Sequence, residues 1–391
     1  MKFDVIIIGA GPAGLSFARS LAGTGLKIAV VEKLPEQVLA NPPADGRDIA
    51  LTHFSVKLLK ELGAWQCFSS DSISIIREAR VLNGTSSYFL HFDHRATNKE
   101  ALGYLISNRL IRKALYEALA GFSNVKLLTG VEVVSVATDT TRASVRLSDG
   151  QALEASLVVA ADSRFSTIRR HMGIGASIRD FGRVAVVCRM AHERPHDDIA
   201  YECFHYGLTL AVLPLGENTS SIVITLPTAA SESVLNMEQA AFNRDVQIRF
   251  ANRLGRMKLI GKRYFYPLVA VFADRFVTTR FALIGDAAVG MHPVTAHGFN
   301  LGLRSQDTLA KDIRSALAQQ IEISTTKMLE HYQTKHRHAS LPLYLTTNAI
   351  VRLFTDDTVP AKILRGAVLR LGNFARPAKF ALMRQLTESH L

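Results

Sequence analysis

Hydrophobic and polar positions at the start of the chain predict a strand, a helix and a second strand. Residues 3–9 form an apolar, β-branched run without alternation, as in a central parallel strand covered on both faces. A helix pattern follows over 11–21, and the next apolar run, 27–31, ends at Glu32. The sequence therefore predicts a βαβ unit of about 30 residues.

The middle of the first half mixes helix patterns with alternating strands. Helices are predicted over 52–62 and 107–120. Alternating runs on both sides of an Asp149-Gly150 turn predict an antiparallel meander near 131–156. Because 157–161 is again apolar and unalternating, we expect the meander to be a crossover that returns the chain to the parallel sheet.

Later residues predict a second sheet and then helices. Four strand patterns are followed by a helix; the segments are 184–190, 201–205, 208–213, 220–226 and 237–254. A further buried strand over 281–285 and a helix from Gly298 lead back to the first sheet. The remainder is predicted to be helical, with breaks at Pro342, Pro360 and Pro377.

These patterns predict an α/β fold, in which a Rossmann-like domain carries an inserted mixed-sheet domain and C-terminal helices. The predicted division places the first part of the Rossmann-like domain at 1–175 and the inserted domain at 176–272. The second part of the Rossmann-like domain follows at 273–325, and a basic helical region occupies 326–391.

Composition narrows the class of protein. The chain has 391 residues, of which 48% are hydrophobic and 20% charged, so a largely disordered chain is excluded. No run approaches the roughly 18 apolar residues of a membrane-spanning helix. Asp4 and the glycines near it argue against a signal peptide, so a cytoplasmic protein is expected. Cys67, Cys188 and Cys203 include no CxxC pair and indicate neither a disulfide framework nor a metal site.

Positive charge is concentrated at the C-terminus. The formal net charge is +12, and from His331 onward nine cations against three acids contribute +6; the cations are Lys335, Arg337, Arg352, Lys362, Arg365, Arg370, Arg376, Lys379 and Arg384. Such an excess suits an anionic membrane surface or an acidic partner, although a solvated basic face is the plainer explanation. Without a recognised motif, we do not predict nucleic-acid binding.

The strongest chemical signal is a glycine motif at the first strand-to-helix turn. Gly9, Gly11 and Gly14 have the GxGxxG spacing directly after the first strand, and Glu32 ends the next one. Gly9 permits the tight turn, Gly11 lets a pyrophosphate approach the backbone, and Gly14 allows close helix packing. Glu32 can accept hydrogen bonds from ribose hydroxyls, so NAD and FAD both remain possible ligands.

A second candidate site lies near residue 286. The strand ending in Gly285-Asp286 offers a carboxylate to a sugar-like chain, and a glycine-rich loop opens the helix after Gly298. Together the two sites could hold both ends of a long cofactor.

Four ordered blocks extend this motif to a family. They are Gly9-Ala-Gly-Pro-Ala-Gly14, Gly46-Arg-Asp-Ile-Ala-Leu51, Ala161-Asp-Ser-Arg164 and Gly285-Asp286. With these blocks the chain resembles the class A FAD-dependent aromatic hydroxylases of the ubiquinone-biosynthesis UbiH/UbiF/VisC family, and among them the UbiM-type 5-demethoxyubiquinol 5-hydroxylases most. The resemblance covers essentially the whole chain and implies the glutathione-reductase type of FAD-binding domain.

The resemblance implies a set of site residues. The expected cofactor-binding residues are Gly9, Gly11, Gly14, Glu32, Lys33, Arg47, Arg109, Asp162, Gly285, Asp286, Gly298, Phe299 and Asn300. His292, Pro293, His297 and Pro267 are expected near the flavin ring or on the substrate side. A structural role is an equally good explanation for the two histidines.

Several positions depart from the family pattern and indicate a divergent subgroup. Ser163 replaces a glycine, Val289 replaces a histidine, and Ala296-His297-Gly298 stands for Gly-Gln-Gly. Asp180-Phe-Gly-Arg183 likewise stands where Asp-Tyr-x-Gln is common.

The chemistry implied by the resemblance is hydroxylation of an aromatic ring. NAD(P)H reduces FAD, oxygen forms a flavin hydroperoxide, and one oxygen atom is transferred to a polyprenylated phenol or quinol, at one or more ring positions. A polyprenyl substrate lies in a bilayer, so cationic helices over 361–386 are expected to contact the inner face of the membrane or a ubiquinone-biosynthesis complex.

Other functions share the same cofactor motifs. A hydroxylase of a soluble aromatic compound, a polyprenyl reductase and a non-catalytic flavin-binding subunit all remain open, and Ser163 gives the last some weight. A flavin halogenase is excluded, because its Trp-x-Trp motif cannot exist in a chain whose single tryptophan is Trp65.

Overall fold

The computed structural model describes residues 1–374 apart from 85–87, 98, 206 and 357. The strands found in these residues are, in chain order, β1 (Val5–Ile8), β2 (Ile28–Glu32), β3 (Asp48–Leu51), β4 (Ser74–Ile76), β5 (Glu78–Asn83), β6 (Phe89–Asp93), β7 (Gly103–Ser107), β8 (Val125–Thr129), β9 (Val133–Thr138), β10 (Ala143–Leu147), β11 (Ala152–Ala155), β12 (Leu157–Ala160), β13 (Ala176–His192), β14 (Ile199–Phe204), β15 (Thr209–Leu215), β16 (Thr219–Pro227), β17 (Met257–Ala273), β18 (Val277–Thr278), β19 (Phe281–Leu283) and β20 (Val289–Gly290). The α-helices are α1 (Pro12–Leu21), α2 (Glu36–Ala40), α3 (His53–Glu61), α4 (Asn108–Glu117), α5 (Thr167–His171), α6 (Ser231–Leu235), α7 (Gln239–Arg249), α8 (His297–Ala318), α9 (Thr326–Thr355) and α10 (Val359–Phe374).

The first sheet has the order β18-β19-β12-β1-β2-β8. Strands β19, β12, β1, β2 and β8 run parallel to one another, β18 pairs antiparallel with β19, and the side chains of β1 are buried. Helix α1 packs against α4 and α8. The predicted βαβ unit and its buried central strand are therefore correct, and the α/β fold class is confirmed.

The antiparallel meander is a separate sheet of order β11-β10-β9. It connects β8 to β12, so the chain does return to the parallel sheet beside β1, as the unalternating pattern predicts. Gly150 has a φ of +85° at the hairpin turn, a conformation that glycine adopts without strain.

The largest sheet has the order β20-β17-β13-β16-β15-β14-β5-β6. One side, here called the outer face, packs on α7 through residues such as Cys203 and Phe250. The other side, here called the inner face, packs on β3, β7 and the 293–295 turn through residues such as Phe204 and Val294. Strands β5 and β6 belong to this sheet although they lie in residues 1–175, so the sheet contains strands from both sides of the predicted domain boundary at 175/176. The division into domains stays a prediction.

Strand β13 begins well before its predicted segment, 184–190, and its partner β17 is equally long. Each has 17 residues, and the two pair antiparallel along most of their length. The stretch from Asp180 to Arg183 is polar, so no strand pattern marks the first half of β13 in the sequence. The pairing register shifts in this stretch, and Gly182 has a φ of +60°. Pairing with a partner strand, rather than local alternation, extends β13.

Helix α9 runs through Pro342, so the predicted break at this residue is wrong. A proline inside a helix removes one hydrogen bond and costs about 3 kcal/mol. Side chains on the packed side of α9, including Tyr332, Leu343 and Tyr344, are buried in the main core and offset that cost. Pro360 lies in the first turn of α10, where proline is tolerated, and the predicted break at Pro377 lies outside the described residues.

No helix within the described residues combines the length and hydropathy needed to cross a bilayer. Cys188 and Cys203 are buried thiols, whereas Cys67 is exposed. The last part of the basic C-terminal region, which includes Arg376, Lys379 and Arg384, lies outside the described residues.

Candidate active site

The glycine turn between β1 and α1 adopts the geometry that its spacing predicts. Gly9 has a φ of +105°, and a side chain at Gly14 would place its Cβ 1.9 Å from the Gly9 carbonyl oxygen. A Cβ at Gly11 would meet no protein atom within 4 Å, so the backbone there borders open space. Gly14 is therefore required by helix packing, whereas Gly11 leaves room for a ligand.

Glu32 lies at the end of β2 beside this turn. Its carboxylate accepts hydrogen bonds from the backbone N–H groups of Ala10 at 2.7 Å and Leu34 at 3.0 Å. A carboxylate has about four acceptor positions, so two remain for ribose hydroxyls. The neighbouring Lys33 side chain is exposed and points to no described partner.

Asp162 follows β12, next to the glycine turn. A side chain at Gly9 would clash with the Ala161 backbone, which shows how closely the two loops approach. Burial raises the pKa of the Asp162 carboxyl, although Ser166 donates a hydrogen bond to it. Its Oδ1 atom is buried and has no hydrogen-bond partner among the described residues. Such an orphaned acceptor indicates a missing donor.

The second site is formed where β19 ends. Gly285 has a φ of +60°, and Asp286 accepts two hydrogen bonds from the Arg164 guanidinium at 3.1 and 2.7 Å. Arg164 also donates to the Val269 carbonyl of β17. Arg169, which is fully buried, donates to the backbone carbonyls of Arg164 and Ala287 and fixes both loops.

Arg164 and Arg169 were not predicted as site residues. Arg164 belongs to a family block, which was a usable signal. Arg169 lies in α5, and nothing in its local sequence distinguishes it from a surface arginine.

The loop from His292 to Asn300 leads from β20 into the first turn of α8. The buried amide of Asn300 donates to the carbonyls of Ala50 and Ala296 and accepts from the Thr52 N–H, so it ties α8 to β3. His297 is buried, Gly298 has open space where a Cβ would stand, and Pro293 is exposed. Phe299 packs against the main core.

His292 is buried at the start of this loop. Its Nδ1 accepts a hydrogen bond from the Val294 N–H at 3.2 Å, and its ring contacts Phe181 edge-on at 4.8 Å between centroids. Burial, followed by the charges of Arg183 and Arg164, lowers the pKa of His292 to about 4. The ring is therefore neutral at pH 7 and carries its proton on Nε2, which has no hydrogen-bond partner in the described structure.

The segment around Arg47 joins the parallel-sheet side to the inner face. Tyr266 donates a hydrogen bond to the Asp45 carbonyl at 2.6 Å, and the Arg47 guanidinium lies over the Tyr266 ring. The buried Asp48 carboxylate pairs with Arg189 of β13. Pro267, the exposed residue that follows Tyr266 in β17, pairs with Val184 of the outer-face cluster, so it lies on the opposite face of the sheet from Arg47.

Arg109 lies in the first turn of α4, directly after β7. Its guanidinium donates a hydrogen bond to the Asn41 side chain at 3.0 Å. The buried Nε atom of Arg109 has no partner among the described residues.

The described residues fit FAD. The open backbone at Gly11 and the spare acceptor positions of Glu32 suit the adenosine and pyrophosphate end. The unpartnered Asp162 Oδ1 and His292 Nε2 atoms are an acceptor and a donor without protein partners, as expected where a polar ligand binds. Fold and site together define a dinucleotide-binding protein with a Rossmann-like sheet and a second, larger sheet.

Comparison with known proteins identifies the family. Residues 2–341 match the family described as FAD binding domain, so the chain belongs to this family and FAD is its cofactor. The chain is 49% identical over 388 residues to the ubiquinone hydroxylase UbiM of Neisseria meningitidis, covering 98% of this chain and 84% of that protein. It is 34% identical to the ubiquinone hydroxylase UbiL of Rhodospirillum rubrum, over 95% of this chain and 87% of the relative. The family and the UbiM-type resemblance inferred from the sequence blocks are confirmed.

Solved structures agree on the fold. Pseudomonas aeruginosa PqsL, in complex with 2-aminobenzoylacetate, matches with a TM-score of 0.76 at 20% identity, covering 91% of this chain and 97% of that one. The p-nitrophenol 4-monooxygenase PnpA of Pseudomonas putida matches with a TM-score of 0.78 at 18% identity over the whole of both chains. These matches show the fold, and the family match and the hydroxylase relatives above show that the protein is an enzyme, a flavin monooxygenase.

Proposed function

We propose that this flavoprotein hydroxylates the aromatic ring of a polyprenylated phenol or quinol precursor of ubiquinone, with NAD(P)H as electron donor and oxygen as co-substrate. The observation that carries the proposal is the 49% identity to a ubiquinone hydroxylase over 98% of the chain. That span includes the glycine turn, the Gly285-Asp286 site and the inner face of the large sheet.

The cofactor would be held at two ends. Gly9, Gly11, Gly14 and Glu32 are proposed to bind the adenosine end, with Lys33 beside them. Asp162, Gly285 and Asp286, the last oriented by Arg164, are proposed to bind the middle of the cofactor. Arg47, Arg109 and the 298–300 loop are proposed to contact the flavin end.

Bound FAD supplies the redox chemistry and oxygen activation. The protein then has to bind the ring, exclude water and provide hydrogen bonds. The inner face suits this task, because its residues Phe204 and Leu213 belong to one apolar cluster. That cluster also contains Phe354 of α9 and Val294 of the 293–295 turn. His292 offers a neutral N–H donor at that turn.

The pathway is tested by deleting the gene in the source cell and profiling its quinone lipids by mass spectrometry. The expected result is accumulation of a prenylated precursor lacking one ring oxygen. An unchanged quinone pool, in a cell without a second hydroxylase, would move the function to a soluble aromatic substrate.

The reaction is tested with purified holoenzyme. A short-chain prenylated phenol should accelerate NAD(P)H oxidation and yield a product heavier by one oxygen atom. Saturation of a prenyl chain without oxygen uptake would indicate a reductase instead, and failure of NADH and NADPH to bleach the flavin anaerobically would indicate a non-catalytic subunit.

We also propose that the C-terminal helices contact an anionic membrane surface. In α10, Leu364, Ala367 and Val368 lie one helical turn apart and are exposed, with the exposed Arg370 beside them. Arg365 points inward instead and donates to the Leu353 carbonyl. An exposed apolar strip next to a cation suits a helix lying at a lipid headgroup layer, where a polyprenyl substrate would be found.

Vesicle flotation tests this contact. The holoenzyme should bind anionic vesicles more weakly as salt increases, and L364E/V368E should reduce binding at least tenfold while FAD content is unchanged. Equal binding by the variant contradicts the proposal. Loss of co-purifying pathway proteins, with vesicle binding unchanged, would assign the strip to a protein complex.

A further inference from the structure

Glu202 occupies an unusual position on β14. Side chains alternate along this strand, so Tyr201 and Cys203 join the outer-face cluster under α7, whereas Ala200 and Phe204 join the inner-face cluster. Glu202 therefore faces inward, between Ala200 and Phe204, toward the part of the molecule that carries the cofactor residues.

The residues directly opposite Glu202 on the two adjacent strands are apolar. It lies opposite Ala211 of β15 and Val81 of β5 in the two strand registers. Val81 belongs to the same cluster as Val294, which follows His292 and Pro293 in the predicted flavin-side loop. An acidic side chain thus lies on the inner face next to members of the apolar cluster that also contains Val294.

Glu202 has few polar partners in this environment. Among the described residues it has no ion-pair partner, and the Thr209 hydroxyl donates a hydrogen bond to its carboxyl. Burial raises the pKa of Glu202 to about 8, so the group is mostly protonated at neutral pH. A neutral carboxyl donates through its O–H and accepts through its carbonyl oxygen, so it can pair with a hydroxyl in both directions.

We propose that Glu202 binds the phenolic hydroxyl of the substrate, and so fixes the aromatic ring against the inner face while the apolar wall receives the rest of the molecule. The inference rests on the proposed function for its substrate class and adds a specificity-determining residue to it. A prenylated phenol matches this surface because it combines one hydroxyl with a large apolar group.

The test compares a phenol with its methyl ether in wild-type and variant holoenzymes. Binding of 2-geranylphenol and of 2-geranylanisole is measured from the perturbation of the flavin absorbance, without NAD(P)H. The wild-type protein should bind the phenol about tenfold more tightly, because the ether cannot donate a hydrogen bond. E202L should lose this preference while keeping its affinity for the ether, and E202Q should reduce the preference about threefold.

Glu78→Gln is the matched control. Glu78 lies on the neighbouring strand β5 but pairs with Arg80 and His91, on the opposite face from Val81. E78Q should leave the phenol-to-ether ratio unchanged. FAD content and thermal unfolding of each variant separate a contact with the ligand from a folding defect.

The outcomes distinguish this proposal from the proposed function. If E202L weakens both ligands equally, or leaves the ratio unchanged, Glu202 does not contact the hydroxyl and the proposal is overturned. If the wild type binds neither prenylated ligand, the proposed substrate class fails. The comparison is then repeated with phenol and anisole, which carry no prenyl chain. A preference for phenol over anisole that E202L abolishes supports the role of Glu202, and any other result overturns the proposal.

Discussion

The cofactor side and the substrate side of this enzyme are built by different means. At the glycine turn, residues close in sequence set the site, since Gly9, Gly11 and Gly14 act through backbone conformation and the absence of a Cβ. On the inner face, the side chains are aligned by the register of strands distant in sequence, such as β5 and β14. Substitutions at the first site should therefore act through local geometry, and at the second through contacts between distant segments.

The largest effect is expected at Gly14. Because an added Cβ would lie 1.9 Å from a backbone oxygen, G14A should lower the free energy of unfolding by at least about 3 kcal/mol. G11A meets no protein atom, so it should leave the stability of the apoprotein unchanged and weaken FAD binding. Calorimetry of the apoproteins and FAD titration check both; an equal loss of stability in the two variants would contradict the distinction.

The next largest effect on stability is expected at the ion pair between Arg189 of β13 and Asp48 of β3. R189M leaves the fully buried Asp48 carboxylate without its partner, and should cost about 3 kcal/mol. The exposed pair Arg77–Asp198 is the control, because R77M should cost at most about 1 kcal/mol. Urea unfolding measures both, and a similar loss in the two variants would show that the buried pair does not couple the segments.

His292, in the loop between the cofactor side and the substrate side, should make the stability of the protein depend on pH. Its pKa is lowered from 6.5 to about 4, so the unfolded chain takes up the proton first as the pH falls. Stability should therefore be fully present above pH 6.5 and decline toward pH 4, by about 2 kcal/mol at pH 5 from this residue alone.

H292Q should remove this part of the pH dependence, as measured by urea unfolding between pH 7 and pH 5. H331Q, which removes a histidine that contacts Asp312 near the surface, is the control for loss of a histidine elsewhere. Identical pH profiles for wild type and H292Q would refute the assignment.

The smallest effect is expected at Ala296, which has a φ of +54° where the family has glycine. A left-handed conformation costs a non-glycine residue about 1 kcal/mol, so A296G should stabilise the protein by about that amount. Ala240, exposed in the first turn of α7, provides the opposite case, because A240G should destabilise the protein by up to about 1 kcal/mol. A stability loss for both variants in urea would argue against strain in the loop.

Local patterns predicted much of the fold. The β1-α1-β2 unit, the Asp149-Gly150 hairpin and the Thr52 cap, whose hydroxyl accepts from the Ser55 N–H, all occur as their sequences indicate. Pattern reading missed the first half of β13, and it placed a helix break at Pro342 that does not occur. In both cases packing against another segment outweighs a local preference.

The same division applies to the site. The sequence by itself determined the cofactor class and the location of the glycine turn, because turn conformation and helix entry depend on residues within a short span. Only the tertiary structure decided that Arg164 pairs with Asp286, that Arg189 pairs with Asp48, and that Glu202 faces inward. These contacts depend on strand register and on packing between distant segments, and no local pattern contains that information.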